Sequence, residues 1–354
     1  MPALCPISAG LRNTKVWTLN HLRLLIVLVP GLAAAQTAFI PEAREDRGIR
    51  AVFYNVENLF DPYRDASRPD MEYTSDGTKA WNYHRYRVKL LNLSKVIAAV
   101  GGMELPELVG LAEVENWQSV FDLSRSGPLA SALYSIIHED SPDPRGIEVA
   151  LMYRAEKLEL LHHYTIRIDQ GKGGYPFRDI LYACFEVLGA DNLHVLVNHW
   201  PSRFGAESRR IIAARALRCS VDSLLRREPE ARILIMGDFN DEPEDESLLK
   251  VLGARRPGTE GAKLINLSHA WSKRQVGTLY RRDVLKYWQV FDQVIVSANL
   301  LTGTGLRVAG GIANIFDAPW LIEPGGGPKR SHQGPVYKGG FSDHLPVYLD
   351  LLYQ

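Results

Sequence analysis

Asn, Asp, Glu and His recur in this chain at the ends of apolar runs, in seven short motifs. These are Tyr54-Asn55-Val56-Glu57-Asn58, Leu111-Ala112-Glu113-Val114-Glu115, Arg145-Gly146-Ile147-Glu148-Val149-Ala150, Asn198-His199-Trp200-Pro201, Gly237-Asp238-Phe239-Asn240, Phe291-Asp292-Gln293 and Ser342-Asp343-His344. A short apolar run reads as a buried strand whose polar end opens into a loop. Carboxylates, amides and imidazoles collected at strand ends suit metal-assisted hydrolysis of a phosphate ester.

Each group has a chemical use beside its ordinary structural one. Asp238 follows the apolar run Ile233-Leu234-Ile235-Met236 and could take a proton from water, with Asn240 holding that water or a phosphate oxygen. The same residues also favour plain turns. His344 could donate to a phosphoryl oxygen while Asp292 orients its other nitrogen. A satisfied structural His–Asp pair would look identical in sequence. His199 could protonate a leaving oxygen. Glu113 needs a partner after the run Leu108 to Ala112, and a divalent cation is a suitable one. Asn55 and Glu57 end the first strand in the same way. Arg145 and Arg203 are candidate phosphate clamps, though a solvated surface cation is the plain alternative. HExxH, CxxC and His-rich clusters are missing, which argues against zinc.

The elements that must position these groups follow from periodicity. Strands are expected at Ile49 to Tyr54, Leu108 to Ala112, Tyr134 to Ile137, Ile147 to Tyr153, Leu158 to Ile168, Ile180 to Val187, Leu193 to Asn198, Ile233 to Met236, Val290 to Val296 and Leu345 to Leu351. Helices are expected over Tyr83 to Val100, over Trp117 to Leu133 with Gly127-Pro128 as an interruption, and over Glu207 to Arg227. The last carries the apolar stripe Ile211, Ala214, Leu217, Val221, Leu224 and Leu225, with Arg209 and Arg210 near its start. The stretches 61–82 and 303–340 read as loops. Neither an internal repeat nor a long linker interrupts the chain after residue 49. One layered α/β domain over residues 49–354 is expected, with two packed sheets flanked by helices.

The chain has 354 residues, 46% of them hydrophobic, enough for a large core. Arg12, Lys15 and Arg23 precede the apolar run Leu24 to Val29, and Ala33-Ala34-Ala35 offers a cleavage site. Residues 1–35 therefore read as a cleavable signal peptide and 36–48 as a loose leader, so export or a periplasmic location is expected. The apolar run is broken by Pro30 and Gly31 and is too short for a comfortable membrane span. The full chain has no net charge, and removal of those three basic residues leaves 38 Lys and Arg against 41 Asp and Glu. A generally basic nucleic-acid coat is excluded, and polyanion binding must come from a local patch or a bound metal. Cys184 and Cys219 remain after the signal and are both expected to be buried and reduced, with one bridge between them the alternative in an exported protein.

Taken in order, the motifs resemble the endonuclease/exonuclease/phosphatase superfamily in a DNase I-like, bacterial-type exported form, from about Ile49 to the C-terminus. The resemblance implies a four-layered α/β sandwich with the site at one edge of two packed mixed sheets. It implies Mg²⁺ or Mn²⁺, with Asn55, Glu57, Glu113 and Asp343 at the metal. It implies Asp238 as the group that activates water, Asn240 beside it, an Asp292–His344 pair, and His199 in the place of a DNase I-like histidine. Glu148 is the candidate acidic partner of His199. The Trp-x-Asp-Arg motif of inositol 5-phosphatases is not reproduced, since Gln293 follows Asp292. A phosphodiesterase acting on DNA or RNA is the leading expectation. Inositol phosphates, sugar phosphates or sphingomyelin are the alternative substrates, with Tyr280, Tyr287, Trp288 and Trp320 as candidate lipid-facing rings. A ligand-binding protein without turnover is the reading from another class.

Overall fold

Side chains along a strand alternate between faces, and the apolar pattern of this chain uses both faces. Ala51 and Phe53 join one buried cluster while Val52 and Tyr54 join another. Val195 and Val197 likewise separate from Leu196, and Leu234 and Met236 from Ile233 and Ile235. Such strands must be covered on both sides, and the structure is layered accordingly. A computed structural model describes residues 48–65, 70–169, 176–274, 276–282 and 286–353. The signal peptide and all of the leader except Gly48 lie outside the described residues.

The main strands are β1 (Gly48–Leu59), β2 (Leu108–Val114), β3 (Ser135–His138), β4 (Glu148–Tyr153), β5 (Leu158–Ile166), β6 (Ile180–Val187), β7 (Asp191–His199), β8 (Arg232–Asp238), β9 (Ala254–Arg255), β10 (Leu264–Asn266), β11 (Asp292–Ser297), β12 (Leu306–Val308) and β13 (Val347–Tyr353). The first sheet runs β12-β13-β1-β2-β4-β3, and the second runs β5-β6-β7-β8-β11-β10-β9. Both are mixed: β1–β2, β7–β8 and β9–β10 pair in parallel, and the other neighbours pair antiparallel. Between the sheets lie Phe53, Leu151, Val195, Leu234, Met236, Val294 and Leu349. Gly110 permits the close approach there, because a Cβ would meet Met236 Cε at 2.8 Å.

Helices α1 (Tyr83–Gly101) and α2 (Trp117–Ser124) cover the first sheet through Leu90, Leu93, Val96, Ile97, Val120 and Leu123. Helix α3 (Glu207–Arg227) covers the second through Ala214, Leu217, Val221 and Leu224. Caps set the starts of the first two. Asn82 accepts the Arg85 amide, and Asn116 and Ser119 form a capping box. The expected four-layered α/β sandwich is thus the observed one, with α2 stopping at Ser124 before a short 3₁₀ turn at Gly127–Ala132. Cys184 is buried as expected, but Cys219 is exposed and both are free. Its place on α3 falls outside the apolar stripe, which the helical spacing alone did not make plain.

One buried cation ties α1 to the loops around the sandwich edge. Lys89 Nζ donates to Glu57 O at 3.1 Å, to Phe341 O at 2.8 Å and to Ser331 Oγ, and lies 3.9 Å from Glu57 Oε2. Burial pushes the Lys89 ammonium down, while the nearby Glu57 carboxylate holds it up. Removing one partner of a buried pair strands the other charge. Lys89→Met is therefore expected to destabilise the chain by about 3–5 kcal/mol in urea titrations. The double variant Lys89→Met/Glu57→Gln should recover much of that loss.

Candidate active site

The alternation that builds the core also aims the polar strand ends. In β7, Val195 and Val197 face the space between the sheets, so His199 does too. In β8 the inward series Leu234, Met236 continues to Asp238, and in β11 Val294 and Val296 share their side with Asp292. Register then puts these three in one row. His199 pairs with Asp238 across the parallel β7–β8 ladder, and Asp238 pairs with Asp292 across the antiparallel β8–β11 ladder. The first sheet contributes from the opposite wall. Ala51 and Phe53 set the side of Asn55, whose Nδ2 donates to Asp238 Oδ2 at 3.0 Å. His344 comes from the approach to β13, and its Nδ1 donates to Asp292 Oδ2 at 2.6 Å.

Glu113 departs from the alternation. Its neighbour Ala112 faces inward, so Glu113 ought to face α1. A register irregularity after Ala112 and a left-handed φ of 65° at Glu113 turn it back toward the site. Its Oε2 accepts the Asn58 amide at 2.9 Å, and its Oε1 lies 4.0 Å from His199 Nε2. Asp238 Oδ2 is 3.6 Å from the same His199 Nε2 and 3.9 Å from His344 Nε2. Two acids and two imidazoles therefore converge at the open end of the sandwich.

Their protonation states diverge, each for a stated reason. Burial pushes Asp238 up to about 7; the His344 charge opposes this, while Asp292 and Glu113 add to it. Burial would also lower His344, but the charge and hydrogen bond of Asp292 override it and hold the imidazole well above its ordinary value. His199 goes the other way: burial first, then Arg178, Arg145 and His344, keep it neutral. One protonated and one neutral imidazole flank one buried carboxylate. Divergent titration of this kind is how a site separates acid from base roles.

Other expected residues are held differently. Glu57 does not face this cluster. Its carboxylate accepts the amides of Ser331 at 2.6 Å and His332 at 3.2 Å, and a left-handed backbone at φ 53° directs it there. It braces the 331–332 turn. Burial, then the nearby Asp343, raises Glu57 to about 7. Asp343 is half-buried and close enough for its charge to act on Glu57, Lys89 and His344. Asn240 accepts no proton-transfer role from its contacts: its amide donates to Asp238 Oδ1 at 3.0 Å and its Nδ2 to Trp200 O at 3.1 Å. It fixes the Asp238 carboxylate. Glu148 does not partner His199; it is bound by Ser141, and His199 Nδ1 has no hydrogen-bond partner among the described residues.

The two arginines expected to clamp phosphate part company. Arg145 stands exposed at the rim, with Nη2 3.1 Å from Asn58 Oδ1 and 3.9 Å from Glu113 Oε1. Arg203 is instead engaged by Asp245 and by Asp241 at 3.5 Å, and its Nε donates to Asn240 O at 3.0 Å. It supports the 240–245 loop. Arg210 is buried against Asp241 at 2.7 Å. Gly237 serves packing between strands, since a Cβ would meet Asn198 O at 2.3 Å. The rings Tyr280 and Trp288 pack on each other, and Trp320 packs on Phe316 and Phe341.

Arg178 is a functional neighbour that the sequence did not reveal. It donates from Nε to His199 O and from Nη2 to Trp200 O, each at 3.0 Å, and from Nη1 to Asp143 Oδ2 at 2.5 Å. Its partners are mainly backbone carbonyls, which carry no residue-type signature. Thr278 is another: its Oγ1 accepts the Asp292 amide at 3.0 Å and so sets the start of β11.

The sequence profile of the Endonuclease/Exonuclease/phosphatase family matches residues 50–352. The chain belongs to that family. Its structural neighbours agree at the level of fold. Truncated Caenorhabditis elegans TDP2 superposes with a TM-score of 0.53 at 14% identity, covering 86% of this chain and 98% of that one. D. rerio TDP2 complexed with single strand DNA product gives 0.54 at 16%, covering 86% and 99%. The human Nocturnin catalytic domain with bound sulfate anion gives 0.54 at 17%, covering 87% and 95%. No curated protein sequence matches the chain significantly. Membership makes it a hydrolase of the phosphodiester-cleaving class, whose members generally use a divalent metal.

The donor set fits a hard cation. The family metal would sit among oxygen donors, and Asp238 is a buried acid whose proton affinity is raised by two further acids. Asp292 Oδ1 is buried without a hydrogen-bond partner among the described residues. Single ligand atoms of Asp238, Asp292 and His344 lie within 4.8 Å of one another, close enough to share an ion. A ligating imidazole must be neutral, however, and Asp292 holds His344 protonated. Glu113 and Asn55 bring further oxygen atoms to this end of the sandwich, with Glu113 Oε1 4.0 Å from His199 Nε2 and Asn55 Oδ1 accepting the Glu57 amide at 3.0 Å.

The pair has a pH signature. Because His344 is raised in the folded chain, its stabilising contribution is full below the ordinary histidine range and fades only as pH rises through the higher native value. Asp292→Asn removes the largest of the charges that oppose burial and leaves Asp238 and Asp343 to oppose it. His344 should then titrate at a lower pH than in the parent chain, read from the pH dependence of its ring-proton NMR shifts; an unchanged titration would break the assignment.

Proposed function

We propose that this chain is an exported, Mg²⁺- or Mn²⁺-dependent phosphodiesterase that hydrolyses nucleic acid. The observation that carries the reading is the row His199–Asp238–Asp292, closed from the other sheet by His344 and Asn55. It offers a carboxylate for water, a charged donor for phosphoryl oxygen and a neutral imidazole in one buried cluster.

Asp238, fixed by Asn55 and by the Asn240 amide, orients the attacking water and accepts its proton; burial has raised it toward the working pH. His344, charged and locked by Asp292, donates to a non-bridging or leaving oxygen where negative charge grows. His199, neutral and held by its backbone through Arg178, hydrogen-bonds a second phosphoryl oxygen without repelling the cation site. Arg145 at the rim draws the phosphate in. When bound at Glu113 and Asn55, a divalent cation supplies Lewis-acid stabilisation of the phosphoryl charge.

Nucleic acid is favoured over lipid by the site's surroundings. Of the rings that could have met a membrane, Tyr280 and Trp288 pack on each other and Trp320 packs on Phe316 and Phe341, while Tyr287 is exposed. The TDP2 neighbour complexed with single strand DNA product supports the same substrate class. The signal-like start of the sequence supports export. Asp238→Asn and His344→Ala are each expected to lower turnover of bis-p-nitrophenyl phosphate and of an oligonucleotide by about 10²–10⁴-fold. Undiminished hydrolysis in either variant would remove these roles. EDTA should abolish turnover, and Mg²⁺ or Mn²⁺ should restore it.

A further inference from the structure

A cleft of about 280 Å³ opens beside the row, lined by Arg145 of the rim and by Pro201, two residues after His199. Its size is at the lower bound for a ligand pocket, room for one unit of a polymer. Three arginines and one aspartate line it, and Asp143 is already neutralised by Arg178 at 2.5 Å. Arg209 forms one wall, its guanidinium 4.8 Å from the centre of the Phe177 ring. At the rim stands Phe204, with a relative exposure of 102%, the highest among the exposed large hydrophobics of the described residues.

Phe204 is held out by a braced turn. The Gly205 amide donates to Ser202 O at 3.0 Å, and Arg210 Nη1 donates to the same carbonyl at 3.3 Å. Arg210 is itself buried against Asp241. The ring therefore meets solvent on a support tied to the fold, directly after the catalytic segment His199-Trp200-Pro201. Leaving a phenyl ring in water forgoes the gain of burying it, so a ring presented this way wants a planar partner. Cations beside an exposed aromatic ring are the combination that grips a single nucleic-acid strand.

Resting on the phosphodiesterase reading, we propose that this cleft binds the nucleotide next to the cut bond, with its phosphate toward Arg145 and Arg209 and its base stacked on Phe204. A base can reach the ring only when it is not stacked and paired in a duplex. The preferred substrate is accordingly a single strand.

Binding and turnover separate the two claims. Fluorescence anisotropy of a labelled short oligonucleotide is measured with Mg²⁺ in an Asp238→Asn background, and bis-p-nitrophenyl phosphate turnover in the otherwise unaltered chain. Phe204→Ala should weaken single-strand binding about ten- to hundredfold, the scale of one lost stacking contact. Duplex binding and bis-p-nitrophenyl phosphate turnover should stay as they were, and Phe204→Trp should restore the single-strand affinity. Single-strand binding within twofold of the parent in Phe204→Ala, equal losses on duplex, or a parent that does not bind the strand would each overturn the cleft assignment. A wild-type chain inert toward bis-p-nitrophenyl phosphate with every metal overturns the phosphodiesterase reading, whichever way the anisotropy falls.

Discussion

Two hydrogen bonds cross between the sheets at the open end of the sandwich, and the site depends on them. Asn55 of the first sheet donates to Asp238 of the second, and His344 beside the first donates to Asp292 of the second. In the interior the sheets meet through apolar side chains, whose packing resists separation but tolerates small slides, and at the far end Tyr353 of the first sheet donates to Val187 O of the second at 2.8 Å. Hydrogen bonds are directional, so the two at the open end fix how the walls of the site sit there. The His344–Asp292 bond also carries charge, which strengthens it in a buried setting. Without that pairing, two carboxylates directly opposite in neighbouring strands would repel each other.

The surrounding shell keeps this arrangement from relaxing. Arg178 grips the carbonyls of His199 and Trp200, Thr278 sets the start of β11, and Ser342 Oγ donates to Asn55 O at 2.7 Å. Glu57 and Lys89, both buried, anchor the 331–341 segment that leads into Ser342 and His344. Several of these contacts end on backbone atoms. They hold position irrespective of the side chain at the other end, which is why the residues that provide them do not stand out as motifs.

Much of the site was legible because its residues obey strand parity. Asp238, Asp292, His199 and Asn55 each continue an inward-facing apolar series, and the sequence shows both the series and its polar end. Glu113 was found by its chemistry but breaks parity, and only the bulge and left-handed backbone explain its direction. Glu57 looked equivalent to it. A similar left-handed turn sends Glu57 to the amides of Ser331 and His332, some 270 residues away in sequence. Arg145 and Arg203 likewise could not be distinguished by type, since exposure at the rim and capture by Asp241 and Asp245 are properties of the fold.

The sequence by itself determined the strands and their buried faces, the family, and which side chains had chemistry to offer. Those follow from local periodicity and from residue type, which are written along the chain. Tertiary structure decided which acids face one another, which imidazole is charged and which is neutral. Proton affinity in a buried site depends on the distances to charges that arrive from other strands and on the water they exclude. Neither quantity exists until β1, β7, β8, β11 and the segment before β13 have come together.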